Sequence, residues 1–141
     1  MSVSGAVDFD PAALAAVLVQ ALGPDEGQFA LTRIGGGQSN PTYFLDWGAR
    51  HLVLRKQPGG EILRGAHAID REYRVLSALH PTGLPVPRPV LFHADPVALG
   101  TPFYLMERVE GRILTDTALA DQPPGERRAI WMAVADTLAA L

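Results

Sequence analysis

Residues 34–58 read IGGGQSNPTYFLDWGARHLVLRKQP. Three successive glycines, Gly35, Gly36 and Gly37, precede Gln38, Ser39 and Asn40 and lie between two runs rich in β-branched and aromatic residues, Phe29–Ile34 and Thr42–Trp47. Trp47-Gly48-Ala49-Arg50 makes a tight connection to a third run, His51–Gln57, which Pro58-Gly59-Gly60 breaks. Three strands joined by short links predict an antiparallel meander with a glycine-rich turn at its first bend.

Outward from this stretch the period changes. Ile69, Tyr73, Leu76 and Leu79 recur at helical spacing within residues 66–80, with Asp70, Arg71, Arg74 and Ser77 opposite. The segment His80–Pro89 holds Pro81, Pro85, Pro87 and Pro89 and reads as an extended connector. Val90–Ala94 and Pro102–Val109 read as two further strands, with turn residues Asp95-Pro96 and Gly100 between them. Upstream, Asp10-Pro11 supplies an N-cap and first-turn proline for a helix carrying Leu14, Val17, Leu18 and Leu22, and Gly23-Pro24 ends it. Gly111–Gln122 reads as a linker, and Pro123-Pro124-Gly125 opens a last helix with the stripe Ile130, Val134, Leu138 and Leu141. The expected class is α+β: a five-stranded antiparallel sheet with one packed helix, plus an N-terminal helix and a final helix.

Bulk properties narrow the function. The chain has 141 residues, enough for one domain or one lobe, and 48% apolar with 19% charged residues suffices for a core. A formal net charge of -3 is unlike the basic footprint of a nucleic-acid binder. Cysteine is absent, which excludes thiolate nucleophiles and disulfides. The start, MSVSGAVDFD, has no positive charge, and the apolar run Ala12–Val19 is far short of the about 20 residues a membrane span needs. The expectation is a cytoplasmic protein without membrane or nucleic-acid partners.

Four features could carry chemistry. The glycine turn can bring backbone N–H groups close to phosphate oxygens, with Ser39 adding a hydroxyl; it can equally be a plain hairpin. In the third strand, alternation puts Val53 and Arg55 on one face and Leu54 and Lys56 on the other. A guanidinium under the glycine turn can pair with phosphates, and the alternative is a solvent-facing basic pair. Glu72 lies on the following helix, where it can hold Arg55 or merely be an exposed helix charge. Phe103–Gly111 is an apolar strand entering a glycine-ended segment.

The order of these parts resembles the N-terminal lobe of a protein-kinase-like fold. The runs IGGGQSNPTYFLDW, LVLRKQP, AHAIDREYRVLSAL, VPRPVLF and GTPFYLMERVEGRIL are similar to the aminoglycoside phosphotransferase and choline kinase-like superfamily over roughly residues 29–114. The closest look is to the kinase-like domains related to those fused to some acyl-CoA dehydrogenases. The resemblance implies an ATP-binding lobe of a phosphotransferase acting with Mg2+ on a small-molecule hydroxyl. Residue by residue, it implies that Gly35, Gly36, Gly37, Gln38, Ser39 and Asn40 position the nucleotide. It implies that Arg55 is the strand cation, Glu72 its helix partner, and Ile34 and Val53 the cover of the adenine slot. Met106, Glu107 and Arg108 would be the hinge, bonding the adenine edge through backbone groups. The implied division is an N-terminal helical extension over 1–28, the nucleotide-binding lobe over 29–109, and hinge plus first C-lobe helix over 110–141.

The family's catalytic loop, His-Gly-Asp or similar followed by Asn, and its later metal-binding Asp are not found. None of His51, His67, His80 and His93 is followed by Gly-Asp or Arg-Asp. The expectation is therefore a fragment with no catalytic residue or metal ligand of its own, inactive alone, exposing Trp131, Met132 or Val134 toward a missing C-lobe. Two other readings stay open: a non-catalytic nucleotide-binding module of the same fold, and an unrelated α+β domain with no Arg55–Glu72 contact.

Overall fold

The computed structural model describes residues 1–24, 27–35, 40–60 and 68–141. The predicted loop residues Gly36, Gly37, Gln38 and Ser39 lie outside the described residues. In chain order the elements are β1 (Ser2–Ser4), α1 (Pro11–Leu22), β2 (Phe29–Arg33), β3 (Thr42–Trp47), β4 (Arg50–Lys56), α2 (Ile69–Leu79), β5 (Pro89–His93), β6 (Phe103–Glu107) and α3 (Pro124–Ala140). One 3-10 turn, His80–Thr82, follows α2.

The strands form a single sheet in the order β1-β2-β3-β4-β6-β5. All pairs are antiparallel except β1 with β2. The sheet thus has six strands where the sequence predicts five. Ser2–Ser4 is only three residues long and exposed throughout, too short for alternation to mark it as a strand. Its place comes from docking: the Arg33 side chain donates from Nη1 to the Ala6 carbonyl at 3.1 Å. Gly5 makes the close approach possible, with φ of 86° and space for no side chain, since a Cβ there would lie 2.9 Å from Arg33 Cβ.

The two faces of the sheet are unlike. On one, Phe29, Leu31, Tyr43, Leu45, Trp47, Leu52, Leu54, Phe103 and Leu105 are buried beneath Leu14 and Leu18 of α1. This is the main core, so the N-terminal helix belongs to the lobe's own packing. Burying each of these side chains contributes about 1.5–3 kcal/mol before entropy is counted. The helix starts as its sequence suggests, with Ala12 N–H donating to Asp10 Oδ1 at 2.9 Å.

On the opposite face α2 lies across β5 and β6. Tyr73 stacks on Phe92 at 5.5 Å between ring centroids and leans on Tyr104 at 5.7 Å. Ile69, the first residue of α2, is buried. These contacts fix the rotation of α2 and so the direction in which its first turn projects.

Residues 110–122 carry neither helix nor strand. The linker is tethered by Leu119, buried in a left-handed conformation with φ of 52°. In α3, Trp131, Met132 and Val134 are exposed, as the sequence predicts. Among the described residues no helix is long and apolar enough to cross a membrane.

Candidate functional site

The site is built on the α2 face from two neighbouring rows of residues across the strands. The registers Thr42↔Arg55 and Arg55↔Tyr104 make one row. Phe44↔Val53 and Val53↔Met106 make the next. Because side chains alternate along a strand, both rows face the same way, about 7 Å apart.

Arg55 anchors the first row. Its Nε donates to Glu72 Oε2 at 3.1 Å and its Nη2 reaches Glu72 Oε1 at 3.5 Å. This side-on grip takes one edge of the guanidinium and leaves Nη1 without a partner among the described residues. Glu72 is itself held from two further directions: Asn40 Nδ2 donates to Oε1 at 2.8 Å, and the Tyr104 hydroxyl donates to Oε2 at 3.2 Å. The carboxylate sits in the first turn of α2, where the helix dipole favours negative charge. Burial, assisted by the Glu72 charge and opposed by that of Arg55, pushes the Tyr104 phenol up to about 12. It therefore remains a protonated donor to Glu72 throughout the physiological range.

Beside Arg55 lies a cleft of 230 Å³ lined by Ile34, Gly35, Asn40, Pro41, Thr42 and Arg55, among others. Ile34 N–H donates to Thr42 O at 2.9 Å, which closes the strand pair at the base of the glycine turn. The free guanidinium edge and the cleft make a cationic seat for an anion with several oxygens. The arrangement disposes of the reading as an unrelated domain, which required no contact between Arg55 and Glu72.

The neighbouring cation has a different fate. Lys56 points to the α1 face, is 1% exposed, and its Nζ donates to Asp8 Oδ2 at 2.8 Å, with the Phe9 ring 5.9 Å away. Lys56 is therefore unavailable to any ligand in the cleft.

The second row ends at the hinge. Val53 is buried beside Met106 and Phe44. Glu107 N–H donates to Arg88 O at 2.9 Å, and Arg108 N–H donates to His51 O at 3.0 Å. In the predicted hinge, then, the amides of Glu107 and Arg108 are already taken, and Val109 has the first amide without a partner among the described residues. The Glu107 side chain is turned outward and pairs with Arg88. The Arg88 guanidinium, through its hydrogen bond first and its charge second, holds the Glu107 carboxyl below its ordinary range.

Of the sequence-predicted residues, the structure brings together Ile34, Gly35, Asn40, Arg55 and Glu72. It sets Val53 and the segment Met106–Arg108 one row further along. Sequence reasoning did not single out Phe44 or Tyr104. Both share the face of Arg55, but that follows only once the register between strands is known. Among the described residues no group of three His, Asp or Glu could hold a metal ion. Glu72 has both oxygens engaged, so this lobe offers no fitting seat for Mg2+ among the described residues.

Comparison with known proteins agrees with this fold. The model of the phosphotransferase enzyme family matches residues 30–141. Human acyl-CoA dehydrogenase family member 11 is 43% identical over 137 residues, covering 94% of this chain and 18% of that protein. Mouse acyl-CoA dehydrogenase family member 10 is 45% identical over 112 residues, 79% of this chain and 10% of that protein. A crystal structure from Ralstonia eutropha, described as a "putative aminoglycoside phosphotransferase", superposes with a TM-score of 0.77 at 37% identity. That match covers 94% of this chain and 37% of the other. The chain thus spans less than a fifth of the length of these curated relatives.

Proposed function

The chain belongs to the phosphotransferase enzyme family, and on that premise we propose that it is the nucleotide-binding lobe of an ATP-dependent kinase acting on a small-molecule hydroxyl. The observation that carries this reading is the grip of Glu72 on one edge of Arg55, which aims the other edge at the cleft under Ile34, Gly35 and Asn40. A guanidinium restrained by a carboxylate loses less freedom when it binds phosphate, and its bidentate fork suits paired phosphoryl oxygens. The base would lie along Phe44, Val53 and Met106, with the carbonyls of the hinge and Val109 N–H at its edge. Arg55 and the Gly35 amide would neutralise and orient the polyphosphate, and positioning of this kind is most of what a protein contributes to phosphoryl transfer.

The residues that would hold Mg2+, which would supply charge neutralisation at the phosphates, and the group that positions the acceptor hydroxyl would come from outside these 141 residues. By themselves the 141 residues are expected to bind ATP weakly and to transfer nothing. A cytoplasmic setting belongs to the same reading. The acceptor class is a hydroxyl on an antibiotic, a sugar or a choline-like compound. The name acyl-CoA dehydrogenase borne by relatives adds hydroxylated acyl thioesters to the acceptors to try.

Calorimetry of ATP with Mg2+ tests the reading, using this chain, a longer chain carrying a His-x-Asp segment, and Arg55→Ala in each. Binding that is tight only in the longer chain and depends on Arg55 supports the kinase. Arg55-dependent binding without transfer to any acceptor in the longer chain favours a nucleotide-binding module. Absence of binding in both removes the proposal.

A further inference from the structure

The guanidinium of Arg108 lies 4.2 Å from the centre of the Phe44 ring. Phe44 is the first member of the row Phe44, Val53, Met106, one step of about 7 Å from the row of Arg55. That offset separates a polyphosphate seat from a flat apolar patch on the same face, the spacing a nucleotide needs between its phosphates and its base. The ring face of Phe44 is the aromatic surface available to a base in this row, and a planar cation already covers it.

Two further contacts hold Arg108 there. Its backbone N–H is tied to His51 O at 3.0 Å, and its Nε is ion-paired with Glu110 Oε1 at 2.8 Å. Glu110 is largely exposed, so the second tie is soft and lies on the solvent side. The guanidinium can leave the ring by turning outward while keeping its carboxylate partner.

Resting on the reading of this cleft as an ATP site, we propose that Arg108 determines how strongly the site selects nucleotides over bare polyphosphate. Its guanidinium occupies the Phe44 face, and a base must displace it to stack there. A polyphosphate without a base binds at Arg55 and leaves the Arg108–Phe44 contact intact. The two ligand classes therefore differ in whether binding breaks this contact.

The test is calorimetric titration of the intact protein with ATP and with inorganic tripolyphosphate in the same buffer. Arg108→Ala is expected to bind ATP about two- to fivefold more tightly, the scale of a partly exposed cation–π contact, and tripolyphosphate unchanged. Phe44→Leu keeps an apolar side chain but removes the ring. It should weaken ATP binding by about fivefold or more, leave tripolyphosphate unchanged, and abolish the gain from Arg108→Ala in the double variant. Thermal melts of each variant report whether the fold is retained. ATP binding that is unchanged or weaker in Arg108→Ala, with wild-type binding intact, overturns this inference alone. Failure of the wild-type protein to bind either ligand overturns the ATP reading and this inference with it.

Discussion

Arg55 and Lys56 are adjacent cations on one strand, and they serve opposite faces of the same sheet. Arg55 is partly exposed, aimed by Glu72 and open at one edge. Lys56 is buried on the α1 side, where Asp8 neutralises it. One residue of parity separates a ligand-facing charge from a structural one. The difference teaches that a basic pair in a strand cannot be read as a unit. The Arg55 face is polar, networked and hollow. The Lys56 face is apolar and filled.

Five substitutions can break or sharpen this contrast. Leu54→Ala removes a fully buried side chain from the α1 face and should cost about 2–5 kcal/mol in denaturant unfolding. A loss below 1 kcal/mol would mean that the main core lies elsewhere. Asp8→Ala strands the buried Lys56 cation and should cost about 2–3 kcal/mol, less than a fully buried pair because Asp8 is half-exposed. Lys56→Met should instead be near neutral, since an apolar chain of similar length suits that environment. Equal losses in the two variants would show that the pair itself, rather than the unpaired charge, dominates.

Arg55→Ala should reverse the pattern. Stability changes by less than about 1 kcal/mol, while ATP affinity falls about thirtyfold through the lost charged hydrogen bonds. A large drop in melting temperature with unchanged affinity would assign Arg55 to structure. The smallest effect concerns acid. Burial works to raise the Asp8 carboxyl, but the Lys56 hydrogen bond and charge outweigh it and leave it below its ordinary 3.8. The unfolded chain then takes up the proton first. The stabilisation is complete above pH 3.8 and is lost as pH falls through the lower folded value. Asp8→Asn should flatten that part of the stability curve by at most about 1 kcal/mol, since solvent screens the half-exposed carboxylate. An unchanged acid slope would remove Asp8 from the account.

Much of this was legible in the chain itself. Alternation in His51–Gln57 separates Arg55 from Lys56 without any coordinates, because side-chain direction in a strand is set by the backbone of that strand. The helical spacing of Ile69, Tyr73, Leu76 and Leu79 likewise shows which face of α2 meets the sheet. Asp10 and Pro11 announce the start of α1, since capping satisfies donors within three residues. All of these are local effects, and local sequence encodes them.

Only the tertiary structure decided the rest. It joined Asp8 to Lys56 across 48 residues, and Tyr104 and Asn40 to Glu72 across 32 residues each. It placed Ser2–Ser4 beside β2 as a sixth strand, and set Arg108 on Phe44. Each of these depends on the register between strands and on how the chain ends fold back. Register is chosen by the summed packing of whole faces, a quantity that no short window of sequence contains.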